Sequence, residues 1–78
     1  MRLSPAEFVI HQFGGVRKTA RALDKTPSTI SKWQHNNSGV IPTKNMVSIL
    51  SKADSLGLDI TADDLVHGRE ITKTEYLK

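Results

Sequence analysis

A chain of 78 residues, 37% hydrophobic with one Trp, one Tyr and two Phe, is at the lower end of what closes around a single core, so one domain is expected. The absence of cysteine excludes disulfides and thiolate metal sites and fits a reducing, cytoplasmic compartment. No apolar run approaches the roughly 18 to 20 residues that span a bilayer, and "MRLSPAEF" lacks the apolar segment of a signal peptide, so neither membrane insertion nor secretion is expected.

The net charge of +3 is unevenly placed. Val16 to Lys52 holds seven basic residues (Arg17, Lys18, Arg21, Lys25, Lys32, Lys44, Lys52) against one acid, Asp24, whereas the flanks carry four basic and seven acidic residues. From Lys25 to Ala53 there is no carboxylate at all, although a solvated helical surface normally interleaves both signs. Such a block suits a polyanion, and nucleic acid comes first.

In chain order, Ser4-Pro5-Ala6-Glu7 combines an N-cap Ser, Pro at the first helical position and Glu at the third, and predicts a helix from about Pro5 to Phe13 ended by Gly14-Gly15. Phe8, Val9 and Phe13 are spaced to face a core. A second helix, about Val16 to Leu23, places Val16, Ala20 and Leu23 on one face and Arg17, Lys18 and Arg21 on the other. Thr26-Pro27 repeats the cap-plus-proline start, and a third helix runs to about Gln34 or His35 with Ile30 and Trp33 inward.

"HNNSGV" is a polar turn. Pro42 is expected to open a longer helix to about Leu56, with Met46, Val47, Ile49, Leu50 and Ala53 as an apolar stripe. Thr61-Ala62-Asp63-Asp64 caps a short helix that ends at Gly68. The tail, 69–78, is compatible with an extended arm, a strand or a final turn of helix. The expected fold is all-α, a small bundle of four to five helices over residues 1–68, followed by a tail as a candidate dimerisation arm.

Two helices of about two turns each, split by "DKTP", make sense where the second must lie across the first at a steep angle, which is the helix-turn-helix. The first then rests over the phosphate backbone and the second inserts its N-terminal half into the major groove. Ser28, Ser31, Lys32 and His35 follow at i, i+3, i+4 and i+7, a polar stripe opposite Ile30 and Trp33. Hydroxyls can donate to or accept from either base type, and Lys can reach guanine O6 and N7. The spacing of Trp33 from Ile30 assigns it to packing rather than base stacking.

Gly15 to Trp33, with "TARAL" and "PSTISKW" carrying most of the match, resembles the helix-turn-helix of the Cro repressors of lambdoid phages, within the wider Cro/CI superfamily. The frame "VIHQFGG" before it and "VIPTKNMVSIL" after it is similar to the all-helical members of that group, and the resemblance covers roughly residues 8 to 53. It implies a lambda-repressor-like fold and a dimeric transcription factor, phage or prophage encoded, that binds double-stranded operator DNA with a pseudo-palindromic sequence. Carried over residue by residue, it makes Thr26, Pro27, Ser28, Ser31 and Lys32 base-reading and Arg17, Lys18 and Thr19 backbone-contacting. The chain leaves the family pattern at Asp24, where Gly is usual, at Lys25, where the residue is usually apolar, and at Pro27, which replaces a frequent Gln.

His35 and Asn36 read as backbone contacts or turn residues. Lys44, expected in the first turn of its helix, faces an unfavourable macrodipole that a bound phosphate would offset. His11, His35 and His67 lack metal-ligand spacing, and no carboxylate pair, phosphate-cradling glycine loop or nucleophile motif occurs, so neither an enzyme nor a metal or other cofactor is expected. No small-molecule ligand is expected either, since no residues are left over for a sensing domain.

One recognition helix reads about four or five base pairs, so a homodimer is expected, its interface drawn from Leu56, Leu58, Ile60, Leu65, Val66, Ile71, Tyr76 and Leu77. The competing reading is a protein-interaction module, antirepressor or antitoxin-like, that sequesters another regulator. The atypical Asp24-Lys25 turn and the apolar acidic tail are what favour it.

Overall fold

The computed structural model describes residues 2–35, 39–72 and 74. Among them are five α-helices, α1 (Pro5–Phe13), α2 (Val16–Leu23), α3 (Pro27–His35), α4 (Met46–Leu56) and α5 (Ala62–His67), with two short strands, β1 (Arg2–Leu3) and β2 (Arg69–Glu70). The all-α bundle is the expected one; the strand pair is an addition to it.

Local signals set the helix ends. Ser4 and Glu7 close the capping box at α1, Glu7 N–H donating to Ser4 Oγ at 3.3 Å and Ser4 N–H to Glu7 Oε1 at 3.0 Å. Thr61 and Asp64 repeat it at α5. Three helices end in one way. Gly14, Asp24 and Gly57 take the left-handed conformation, and the next residue's N–H reaches back five positions: Gly15 to Ile10 O, Lys25 to Ala20 O and Leu58 to Ala53 O, at 2.9, 2.8 and 2.8 Å.

The expected helix from Pro42 divides. Pro42 has ψ 131, an extended value, and Thr43–Asn45 form a 3-10 turn before α4 begins at Met46. Lys44 therefore sits in this tighter turn and not in the first turn of the α-helix, so the macrodipole argument for it does not apply as stated. Of the expected apolar stripe on α4, Ile49 and Ala53 are buried and Val47 is not, being 77% exposed.

The core joins α1, α2, α3 and α4 through Ala6, Val9, Ile10, Phe13, Ala20, Ile30, Trp33 and Ile49, with Ile41 and Leu65 completing it. Trp33 is a packing residue, 6% exposed. Ala20, almost fully buried on α2, leaves room for α3 to pack closely.

The tail does not begin a separate unit at residue 69. Arg2 pairs with Glu70 and Leu3 with Arg69 in antiparallel register, and Ile71 is buried with Leu3 and Phe8. Ile71 is covered by Leu3 of β1, Phe8 of α1 and Ile60, so the folded unit extends at least to this residue. The same burial revises the dimerisation face. Leu65 and Ile71 are core residues, and Leu58 and Ile60 pack against the core, which leaves Leu56 and Val66 exposed. Tyr76 and Leu77 lie outside the described residues.

Candidate nucleic-acid interface

Each half of the candidate interface is placed by its own local chemistry. Gly15, φ 124, carries the chain from α1 directly into α2. At the other end of α2 the left-handed Asp24, φ 57 and ψ 48, turns the chain so that α3 packs back across α2. Asp24 is the one described non-glycine residue with positive φ. A non-glycine residue there costs roughly 1 to 2 kcal/mol, although Asp is among those that tolerate it.

Thr26 then starts α3. Its hydroxyl accepts from Thr29 N–H at 3.2 Å and is hydrogen-bonded to the Thr29 hydroxyl at 3.0 Å, and its carbonyl accepts from Thr29 and Ile30 N–H. Pro27 occupies the first helical position, where its missing N–H is no loss. Thr26, an expected base-reading residue, is exposed at the start of α3, and its hydroxyl, by accepting from Thr29 N–H, also orients the residues that follow.

Pro27, Ser28 and Lys32 are exposed and Ser31 is half-buried, while Ile30 and Trp33, on the opposite side of the same helix, are buried. The fold thus brings four of the expected reading residues to one accessible stripe. His35, at the end of α3, is exposed; Asn36 lies outside the described residues.

On α2, Arg17, Lys18 and Arg21 are exposed. The chain of Lys18 runs close over Gly14, so that a Cβ there would stand 2.9 Å from its Cδ. Thr19 is a correction. It is fully buried, and its hydroxyl donates to Gly15 O at 2.7 Å, back-bonding one turn along its own helix. A side chain without accessible surface cannot meet a phosphate, so Thr19 is structural. Lys44 is exposed in its 3-10 turn.

The electrostatics divide as the sequence does. Ion pairs form between β2 and the α5 region, Arg69 with Asp59 and Asp64, and within α5 the His67 imidazole stands 3.9 Å from the Asp63 carboxylate. Among the described residues none joins a cation of α2 or α3 to a carboxylate. Nor do three His, Asp or Glu side chains among them converge as metal ligands. No described helix is long and apolar enough to cross a membrane.

Residue spacing alone could not have revealed one contributor. Lys25, set aside as an irregularity of the turn, is half-buried beside α2, and the turn geometry is what puts it there. No protein-family model, curated protein or solved structure matches the chain.

Proposed function

We propose that this chain is a sequence-specific DNA-binding transcriptional regulator, a Cro-type repressor of phage or prophage origin. It acts in the bacterial cytoplasm as a homodimer on double-stranded operator DNA. The observation that carries this reading is the two-sided character of α3. Ile30 and Trp33 fix it in the core, while Pro27, Ser28, Ser31 and Lys32 face outward beside the exposed cations of α2, which pair with no carboxylate among the described residues. A recognition helix needs this combination, since phosphate contacts position it and base contacts specify.

In this mechanism Arg17 and Lys18, with Lys44 further along the chain, neutralise phosphates, and His35 contacts the backbone. Ser28, Ser31 and Lys32 read base edges in the major groove. Pro27 offers an apolar surface to the groove in place of a hydrogen-bonding amide. The largest dimension of the described structure is 29 Å. That is shorter than the roughly 34 Å between successive major grooves on one face of the duplex, so reading two half-sites requires two copies. Exposed Leu56 and Val66 are the members of the expected dimer face that remain available for that contact. Repression follows from occupancy of the promoter, with neither ligand nor catalysis involved.

Selection of bound sequences from a random duplex pool at moderate salt tests this. Enriched sites with two half-sites about one helical turn apart are the expected result. A folded chain that retains no duplex, or retains all sequences alike, would overturn it, and the first outcome would favour the protein-sequestering alternative.

A further inference from the structure

Between α2 and the start of α3 lies an open cleft of about 380 Å³, lined by Arg17, Ala20, Arg21, Lys25 and Pro27. Ala20 is its small apolar floor, and Pro27 contributes a wall with no N–H. The remaining three lining residues are cations. Asp24, the carboxylate next in sequence, does not share the cleft; it lines a different groove, with Ala22, Leu23 and Val47.

The backbone fixes this arrangement. Lys25 N–H donates to Ala20 O at 2.8 Å, so the residue leaves the turn from a defined point against α2. Arg17 and Arg21 stand one turn apart on the same face of α2. Three like charges around one concavity repel one another, and an anion seated among them would relieve that repulsion.

We propose that this cleft seats a single backbone phosphate of the bound duplex, with Arg21 and Lys25 as its principal contacts and Arg17 at the rim. This rests on the DNA-binding reading above. A phosphodiester matches the site in charge and shape. It carries one negative charge and two free oxygens, which a guanidinium meets in bidentate fashion and an ammonium as a point charge. Because the cleft opens beside Pro27, at the first turn of α3, a phosphate held there sets the register at which the recognition helix enters the groove. Lys25, one of three residues that depart from the pattern the chain resembles, then becomes a positioning contact that supplies affinity without reading sequence.

The test is a scan of a selected duplex with single neutral methylphosphonates, comparing the wild-type chain with Lys25→Gln and Arg21→Gln. Melting of each variant, followed by circular dichroism, checks that the fold is retained. The wild-type chain is expected to weaken at each contacted phosphate. Both variants should become insensitive at one and the same position, bind about fivefold more weakly at 0.15 M salt, and show a salt slope lower by about 0.9. Lys25→Gln with the wild-type slope and the wild-type methylphosphonate pattern overturns the proposal while leaving the DNA-binding reading standing. A wild-type chain that binds no duplex at low salt overturns both. Inorganic phosphate that shifts the Arg21 and Lys25 resonances of the free protein, with the methylphosphonate pattern unchanged in Lys25→Gln, would assign the cleft to a free anion and likewise overturn it.

Discussion

Arg69 holds Asp64 through two hydrogen bonds, Nε to Oδ1 at 2.9 Å and Nη2 to Oδ2 at 2.6 Å, while its Nη1 reaches Asp59 Oδ2 at 2.7 Å. The guanidinium carbon also sits 4.5 Å from the centroid of the Phe8 ring. One side chain of β2 thus ties α5 and the loop before it to α1, and Asp64 simultaneously caps α5 by accepting from Thr61 N–H.

Asp64 makes the fold acid-sensitive. Burial by itself would raise its pKa, but hydrogen bonds from Arg69 and Thr61, with the guanidinium charge, hold the carboxyl below the usual aspartate range. A carboxyl depressed in the folded state contributes stability that is fully present above its unfolded pKa, about 3.9, and is lost as pH falls through the folded value. Urea unfolding from pH 7 to pH 2 should therefore show stability falling below about pH 4. Asp64→Asn should be about 1 to 3 kcal/mol less stable at neutral pH, because it removes the charge and one of the two carboxylate oxygens that Arg69 holds there. It should also show a shallower loss in acid.

Gly68 is required where β1 passes beneath it. Its φ is 75 and a Cβ there would collide with the carbonyl oxygen of Leu3. Gly68→Ala is expected to destabilise by about 2 to 4 kcal/mol, through its positive-φ extended backbone (φ 75, ψ −167), a conformation essentially confined to glycine, and the forced shift of the strand pair together. Gly57 has a similar φ of 70 but open space around its α-carbon. Gly57→Ala should cost only about 1 to 2 kcal/mol, the conformational part alone. Equal losses in the two, measured by thermal melting, would refute the steric argument.

The turn at Asp24 is strained for its residue type, and the side chain is exposed. Asp24→Gly should stabilise the chain by about 0.5 to 1 kcal/mol, with Asn between the two, read from the midpoint of chemical unfolding. Under the DNA-binding reading, removal of this carboxylate from the cationic stretch should also raise affinity for all duplexes alike.

Lys32 and Arg17 separate reading from anchoring. Lys32→Ala should cost about 1 to 3 kcal/mol against the selected site and relax preference at one base pair, leaving random-sequence affinity much less affected. Arg17→Ala should weaken every duplex and lower the salt slope by about one unit. Mobility shifts of selected and random duplexes at two or more salt concentrations distinguish these patterns. Equal losses on both duplexes for both variants would remove the assignment of roles.

The helix boundaries were legible because their causes are local. Ser4 with Glu7, Thr26 with Pro27, and Thr61 with Asp64 satisfy the first N–H groups of their own helices, and Gly14, Asp24 and Gly57 end helices within one turn. Pro42 misled because a proline that can open a helix can equally precede one in an extended conformation, which is what the 3-10 turn after it requires. At the candidate interface, Ser28 and Lys32 follow from helical spacing. So does the burial of Thr19, three residues after Val16 and four before Leu23 on the inward face of α2; its expected backbone contact came from the resemblance alone.

What the sequence determined by itself is an all-helical chain of four to five segments, the inward placing of residues such as Phe8, Ile30, Trp33 and Ile49, and the concentration of positive charge between residues 16 and 52. These depend on interactions within a turn or two of chain. Only the tertiary structure decided that the segment after Gly68 returns to pair with Arg2 and Leu3, that Arg69 clamps Asp59 and Asp64 over Phe8, and that Lys25 shares a cleft with Arg17 and Arg21. Each of these joins residues from different elements. Pairing, clamp and cleft depend on how the helices cross, and that angle is set by packing of the whole core rather than by any one segment.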